Sequence, residues 1–545
     1  MKKTVPVLLA LLMAGCAVPP SPEEPKPAAP KRVLPKRTGP DIRVGLITGA
    51  DSVCFSVDGN FSVVQTNGTF IAAGRGGEIL KVRRALSEKT VYRLVAASMS
   101  GCDGARRKVE VLDSLGLGTS IEPVTNPSDT ASPANGPSSF RVYLKPVFNT
   151  YEEAKAFQNA VRDRLETFIS TEHQKREDGP YVLVNAATGE SWVLSGAVRI
   201  RGANVTIIGV PVGSGYHWAR TEDLTYPETI EIQAPPDGRI TVINVVPLET
   251  YLKGVVPSEM HPGFPFEALK AQAVAARSRV LRYLQNGLHS GTSFDFCDEV
   301  HCQVYSGLSR RSPAADLAVD ETAGRVLEYG GRVCDAVFHG LCGGHGEDGE
   351  KAWGGFTPYL KGNPDGSGMR RYGRLSDEKA VRKWIDSEPP VWCNTASRSV
   401  FRFMEYTKKY FRWRTVIPRS AVESNLAQKG YPEVGTVLDL VPESRGVSGR
   451  ILRLRIVGTR GNAVVAGELT VRKVLSSETL WSSCFYVEKA AVVDGVPGEF
   501  VLHGAGWGHG VGMCQTGAAA MALKGKRCES ILRHYYRGAR LKRMY

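Results

Sequence analysis

The sequence predicts an α+β fold: β-rich segments around one alanine-rich core helix, with a cleft formed by several chain segments. Three observations lead there. Residues 41–113 and 180–250 break into short β-rich runs punctuated by turn residues, which is strand chemistry. Phe266, Leu269, Ala273, Ala276, Val280 and Tyr283 recur at steps of three and four, the spacing of one helical face. Residues 435–490 return to strand-like runs, and the chain has no internal repeat.

The amino terminus sets the expected compartment. Lys2 and Lys3 precede a short apolar run from Val5 to Met13, and Leu12-Met13-Ala14-Gly15-Cys16 has the shape of a lipoprotein cleavage box. The run is much shorter than the roughly 20 apolar residues that span a bilayer. Residues 1–16 are therefore expected to be a lipoprotein signal, with Cys16 lipidated and the protein anchored to an envelope membrane. In a Gram-negative cell that means the periplasmic face, with Ala17 favouring the outer membrane. Residues 17–40, rich in Pro, Lys and Ala, can neither propagate a helix nor bury a core, and read as an extended tether.

The net charge of +14 suits an acidic polymer or an anionic surface. An exported lipoprotein meets the polymers of the envelope and no nucleic acid. Eleven cysteines are present; with Cys16 assigned to lipid, an even ten remain, which permits disulfides in an oxidising compartment without identifying them. Cys54 with Cys102 is the simplest pairing.

Along the chain, 41–116 reads as a β-rich amino-terminal part with a hairpin turn at Asp58-Gly59-Asn60. The Ser/Pro/Asn/Thr-rich stretch 117–139 reads as a linker. In 140–179 an extended run from Phe140 to Val147 precedes Ala154, Phe157, Val161 and Leu165 at helical spacing. Pro265 suits the start of the long helix and Gly287 its end, while Lys270, Gln272 and Arg277 lie off its apolar stripe. Two or so further helices are expected in 375–430, carrying Trp384, Trp392, Phe411 and Trp413.

Glu259 is the candidate acid. It lies between the hydrophobic Val246-Pro-Leu-Glu-Thr-Tyr-Leu-Lys-Gly-Val-Val-Pro-Ser-Glu-Met260 and the alanine-rich helix, a place that can line a cleft. Val255, Val256, Pro257 and Met260 are compatible with a desolvated carboxyl of raised pKa, as acid catalysis needs. Glu249 competes, but its position looks like the start of a short helix. The loop Gly506-Trp-Gly-His-Gly-Val-Gly512 has glycines that permit close backbone approach around His509, which can donate or accept near neutrality.

These segments resemble the SpoIID/LytB family of bacterial cell-wall proteins. The resemblance rests on 246–260, on Gly506-Trp-Gly-His-Gly-Val-Gly-Met-Cys-Gln-Thr-Gly-Ala518 and on Ile531-Leu-Arg-His-Tyr-Tyr-Arg-Gly538. Ile42-Arg-Val-Gly-Leu46, Cys302-Gln-Val-Tyr-Ser-Gly307, Phe338-His-Gly-Leu-Cys-Gly-Gly344 and Ser448-Gly-Arg450 extend it over most of the chain from residue 42. It implies a family region over 180–545, with a core motif at 239–345 and a carboxy-terminal signature at 503–541. It also implies a lytic transglycosylase that cuts the MurNAc–GlcNAc bond of peptidoglycan to leave 1,6-anhydroMurNAc ends, with peptide-stripped glycan as the preferred substrate. Glu259 would be acid and then base. The alternative within the family is a non-catalytic enhancer of an N-acetylmuramoyl-L-alanine amidase, or a glycan-binding wall regulator.

By the same resemblance His509 faces the cleft of Glu259 with Gln515 nearby, a tight structural turn being the alternative. Gln272, Arg277, Gln303, Tyr305 and His339 are further candidates for glycan contact, Arg277 equally for pairing with a carboxylate. Gly340 and His345 depart from the polar Ser or Thr usual in the family around 338–345, a segment read as cleft wall. Residues 140–179 are similar to the small peptidoglycan-binding SPOR module, or else form a βαβ insertion in the parent fold.

Cys297-Asp-Glu-Val-His-Cys302, with His289 upstream, offers two thiolates and one or two imidazoles. Such donors suit tetrahedral zinc; in an oxidising compartment a Cys297–Cys302 disulfide is the alternative.

Overall fold

The computed structural model describes residues 39–123 and 139–545, apart from positions 86, 101, 115, 164, 177–178, 236–237, 288, 290, 367–371, 373 and 397–401. The expected signal, Cys16 and nearly all of the tether lie outside the described residues. Among the described residues no helix is long and apolar enough to cross a membrane.

The architecture is α+β. A seven-stranded sheet runs in the order Phe296–Cys297, Asp41–Ala50, Ile240–Pro247, Thr229–Gln233, Val198–Arg201, Phe61–Gln65, Phe70–Gly74. A six-stranded sheet runs Ser191–Val193, Tyr181–Asn185, Ile79–Arg84, Ser52–Val57, Val205–Val212, Arg220–Tyr226. Alternate residues of both sheets, among them Val44, Phe55, Val63, Ile200, Ile207 and Val242, enter one continuous core, as period-two side chains must when one face is buried.

Asp58-Gly59-Asn60 does not close a hairpin. Ser52–Val57 pairs in one sheet and Phe61–Gln65 in the other, so this turn carries the chain across the core. Its turn chemistry was legible in the sequence; the choice of partner strand is a long-range matter.

A separate unit is inserted between Ile79–Arg84 and Tyr181–Asn185, which pair with each other. Its strands Ser87–Ser100, Thr119–Pro123, Ser139–Phe148 and Phe168–Arg176 pair antiparallel throughout. Thr119–Pro123 and Phe168–Arg176 form the two edges. With helices Cys102–Ser114 and Tyr151–Val161 the chain order is βαββαβ, the ferredoxin-like arrangement. The module therefore begins near 87 rather than at 140, and the start of the expected linker is its edge strand. Thr150 and Glu153 form a capping box at the second helix. Cys54 lies in the strand Ser52–Val57 and Cys102 opens the helix Cys102–Ser114, and both are free thiols, so the pairing expected from the sequence does not form.

Behind the sandwich lie the helices Leu248–Glu259, Phe266–Asn286, Pro313–Glu321, Gln515–Leu523 and Cys528–Tyr535. The long helix runs from Pro265 to Gly287, whose φ of 67° gives the left-handed cap. Its environment is more enclosed than the one-stripe pattern suggests. Gln272 and Arg277, off the stripe, are as buried as Ala273 and Ala276, because other helices cover the face away from the core. Residues 413–502 build a further core from two three-stranded sheets and the helices Arg419–Gln428 and Glu468–Leu475.

Candidate active site and metal-ligating clusters

Glu259 is the last residue of the helix Leu248–Glu259. Two prolines set that end: Pro257 removes one backbone donor, and His261 precedes Pro262, which disfavours further helical conformation. Met260 accordingly turns extended at φ −131°. Opposite the helix runs the segment 302–308. Gly254 permits its close approach, since a Cβ there would meet the Gly307 carbonyl oxygen at 2.5 Å.

As a result the Val304 N–H donates to Glu259 Oε1 at 2.8 Å. Gln515, first residue of the helix Gln515–Leu523, hydrogen-bonds the same carboxyl. Glu259 as a residue is half-buried. Desolvation nevertheless pushes its pKa up to about 7, against the opposing pull of the Val304 N–H, Gln515 and the Arg279 guanidinium. The acid is thus part-protonated near neutrality, as a group that both gives and takes a proton requires.

Glu249 takes a structural role. It is buried, and Arg277 grips it with Nε and Nη2, each at 2.7 Å from a carboxylate oxygen. The Gly324 N–H and the Tyr545 hydroxyl also donate to Glu249 Oε1. Arg277 is fully buried, its remaining N–H groups on carbonyls of Ala273, Val319 and Arg325. Of the two roles open for Arg277, the structure fits carboxylate partner and leaves no surface for glycan.

The other glycan-contact candidates divide. Gln515 touches Glu259, and Gln272 accepts from Gln515 Nε2 at 3.4 Å, so these two back the acid. Gln303 is buried, with Nε2 on the Ala276 carbonyl. Tyr305 is core: it is buried, donates to Asn244 Oδ1 at 2.8 Å and packs on the Tyr251 ring at 4.7 Å.

His509 Nε2 lies 3.0 Å from the Phe338 carbonyl and its Nδ1 accepts from the Val511 N–H at 3.0 Å. A carbonyl can only accept, so Nε2 carries the proton and the ring is neutral, in keeping with a pKa lowered by burial and by nearby His339 and Arg279. Both nitrogens are spent on holding the loop, the structural alternative for this residue. His339 is buried and its Nδ1 donates to the Val511 carbonyl at 3.0 Å, so it too is removed from a substrate.

A first donor cluster lies on the Val304 segment. Ligand atoms of His289, Cys297, His301 and Cys302 all fall within 4.8 Å of one another. His289 Nε2 is 3.1 Å from Cys302 Sγ, and His301 Nδ1 is 3.5 and 3.7 Å from the sulfurs of Cys302 and Cys297. Both cysteines are free, so the disulfide alternative is not formed. Two thiolates and two imidazoles fit tetrahedral zinc, which would clamp 289–302 where Phe296–Cys297 pairs with Val44 and Gly45. His301 completes the set, and its position between the cysteines was the signal for it.

Similarity to known proteins follows this anatomy. A family model described as stage II sporulation protein matches residues 236–329, which contain the Glu259 helix, the long helix and the first donor cluster. This part of the chain is similar to the SpoIID/LytB family, as relatives named stage II sporulation protein D and amidase enhancer also indicate. A second model, for a domain of unknown function (DUF8618), matches residues 347–512. The stage II sporulation protein D of Bacillus amyloliquefaciens is 28% identical over 307 residues, covering 54% of this chain and 73% of that protein. The amidase enhancer of Bacillus subtilis is 28% identical over 300 residues, 53% of this chain and 40% of the enhancer. An uncharacterised protein of Brachyspira hyodysenteriae is 28% identical over 304 residues, 56% of this chain and 69% of its own. The chain thus spans well under half of the amidase enhancer.

Proposed function

We propose that this protein is a peptidoglycan lytic transglycosylase, with Glu259 as its acid and then its base. The observation that carries the reading is a half-buried glutamate whose carboxyl pKa is raised to about 7 by desolvation. The Val304 N–H occupies Oε1, so that oxygen is the acceptor and the other is left to carry the proton.

In the first step that proton goes to the glycosidic oxygen as its bond to C1 of MurNAc breaks. The C6 hydroxyl of the same sugar then forms a bond to C1 and gives its proton to the Glu259 carboxylate, restoring the acid. The products are a 1,6-anhydroMurNAc end and a free GlcNAc hydroxyl. Hydrolytic glycosidases usually need a second carboxylate to activate water or attack the sugar. Here the nucleophile is within the substrate, where proximity raises its effective concentration. The groups bonded to Glu259 are a backbone amide and a glutamine, with the Arg279 guanidinium acting through space, which suits a single-acid mechanism.

In this reading peptide-stripped glycan is the preferred substrate, the βαββαβ module is a SPOR-like wall-binding attachment, and Cys16 holds the protein at an envelope membrane. The similarity to an amidase enhancer favours a second reading, in which the same cleft holds glycan without cutting it and stimulates an amidase. Mass spectrometry of products from intact and amidase-stripped sacculi separates the two. Anhydro ends support the lyase, and stimulated amidase products without anhydro ends support the regulator.

A further inference from the structure

We propose that Cys342, Cys393, Cys514 and Asp365 form a second metal site, a buried tetrahedral zinc centre distinct from the cluster at 289–302. Four distant points of the sequence supply it, and their ligand atoms lie within 4.8 Å of one another. All four residues are buried. Cys342 and Cys393 sulfurs are 3.4 Å apart, too far for the bond of about 2.05 Å in a disulfide and near the roughly 3.8 Å edge of a tetrahedron with zinc–sulfur distances of about 2.3 Å.

Backbone donors converge on two of the three sulfurs. Backbone N–H groups of Cys342 and Gly517 point at Cys514 Sγ, and that of Gly344 at Cys342 Sγ, each at 3.3 Å. Such donors stabilise negative sulfur. Asp365 is held in orientation by its own hydrogen bonds, as metal-ligating carboxylates are: Tyr535 Oη donates to Oδ1 at 2.8 Å, the Cys393 N–H to Oδ2 at 3.1 Å, and His534 Nε2 lies 3.4 Å from Oδ1. Packing a buried carboxylate against three ionisable sulfurs is costly unless a cation joins them.

His339 supplies an independent sign. Its Nδ1 donates to the Val511 carbonyl, which leaves the lone pair on Nε2, yet that buried atom has no hydrogen-bond partner that meets normal geometry. It faces Cys514, a buried nitrogen lone pair aimed at the cluster. Three thiolates and a carboxylate exceed the charge of Zn²⁺, and the Arg450 and Arg412 guanidiniums, bound to the carbonyls of Cys342 and Gly343, offset the remainder.

The site's role is positional. Cys514 caps the helix whose first residue, Gln515, touches Glu259, and Asp365 and Cys393 belong to the region 347–512. The centre thus ties that region to the family core.

The test is zinc stoichiometry of the full chain, purified reduced and without chelator, by native mass spectrometry. Two zinc ions per chain are expected, with Cys393→Ser losing one and His301→Ala losing the other. Because Cys393→Ser can fail to fold, wild type is also loaded with cobalt(II), and the thiolate charge-transfer bands at two equivalents are expected to exceed twice those of one Cys₂His₂ site. One zinc in wild type, two retained in folded Cys393→Ser, or a Cys342–Cys393 disulfide in a non-reducing peptide map overturns the proposal.

Discussion

The Val304 N–H donates to Glu259 Oε1 at 2.8 Å, and Val304 lies two residues beyond Cys302 of the first donor cluster. The cluster therefore sets where the acid's hydrogen-bond donor stands. His301 is the exposed member, so His301→Ala removes a ligand at little packing cost. The variant is expected to lose one zinc and up to about a hundredfold in rate, the scale of an ångström-sized misplacement at a reacting group. Unchanged rate in a zinc-depleted variant would separate the cluster from the site.

Gly254 makes the same connection from the helix side. A methyl at this position meets the Gly307 carbonyl oxygen at 2.5 Å, so Gly254→Ala must push 302–308 away. We expect a stability loss of about 1–3 kcal/mol together with a lower rate. Crystallography or amide exchange at Val304 checks the cause.

The Glu259 pKa of about 7 has two consequences for pH. The acid must be protonated to begin, so kcat/KM is expected to fall as pH rises through about 7. For stability, the folded pKa lies above the ordinary carboxyl value of 4.5. Below 4.5 both states hold the proton and the group contributes nothing. Between 4.5 and about 7 the unfolded chain releases it while the folded protein retains it, so stability declines with pH across that window and levels off above it. Glu259→Gln removes the penalty and is expected to be more stable than wild type at pH 7.5, by on the order of 1–3 kcal/mol, with little difference at pH 4. Denaturation at the two pH values reads this directly.

Arg277→Met strands Glu249, whose buried carboxylate has Arg277 as its one cationic partner among the described residues. The expected loss is about 3–5 kcal/mol, seen in denaturation. A stable variant with raised KM would instead return Arg277 to a glycan-binding role.

Much of this was legible locally. The long helix announced both ends through Pro265 and Gly287, and Glu249 was readable as an opening residue of a helix. The positions that misled are those where partners come from far away in sequence. Tyr305 and Arg277 look like cleft residues in one dimension, and only the Asn244 and Glu249 side chains reveal them as core. His509 suggested chemistry because its two hydrogen-bond partners are backbone groups, which carry no residue signature. Cys342, Asp365, Cys393 and Cys514 span more than 170 positions, with no spacing motif to announce them. The insertion boundary was missed because Ser87–Ser100 continues the strand chemistry of the sheet before it.

The most direct test of Glu259 as the acid is the product spectrum of Glu259→Gln beside wild type on amidase-stripped sacculi. The amide keeps the shape but cannot deliver the proton, so 1,6-anhydroMurNAc ends should form about 10²- to 10⁴-fold more slowly while the variant still binds glycan. Anhydro ends produced by Glu259→Gln at the wild-type rate would contradict the assignment.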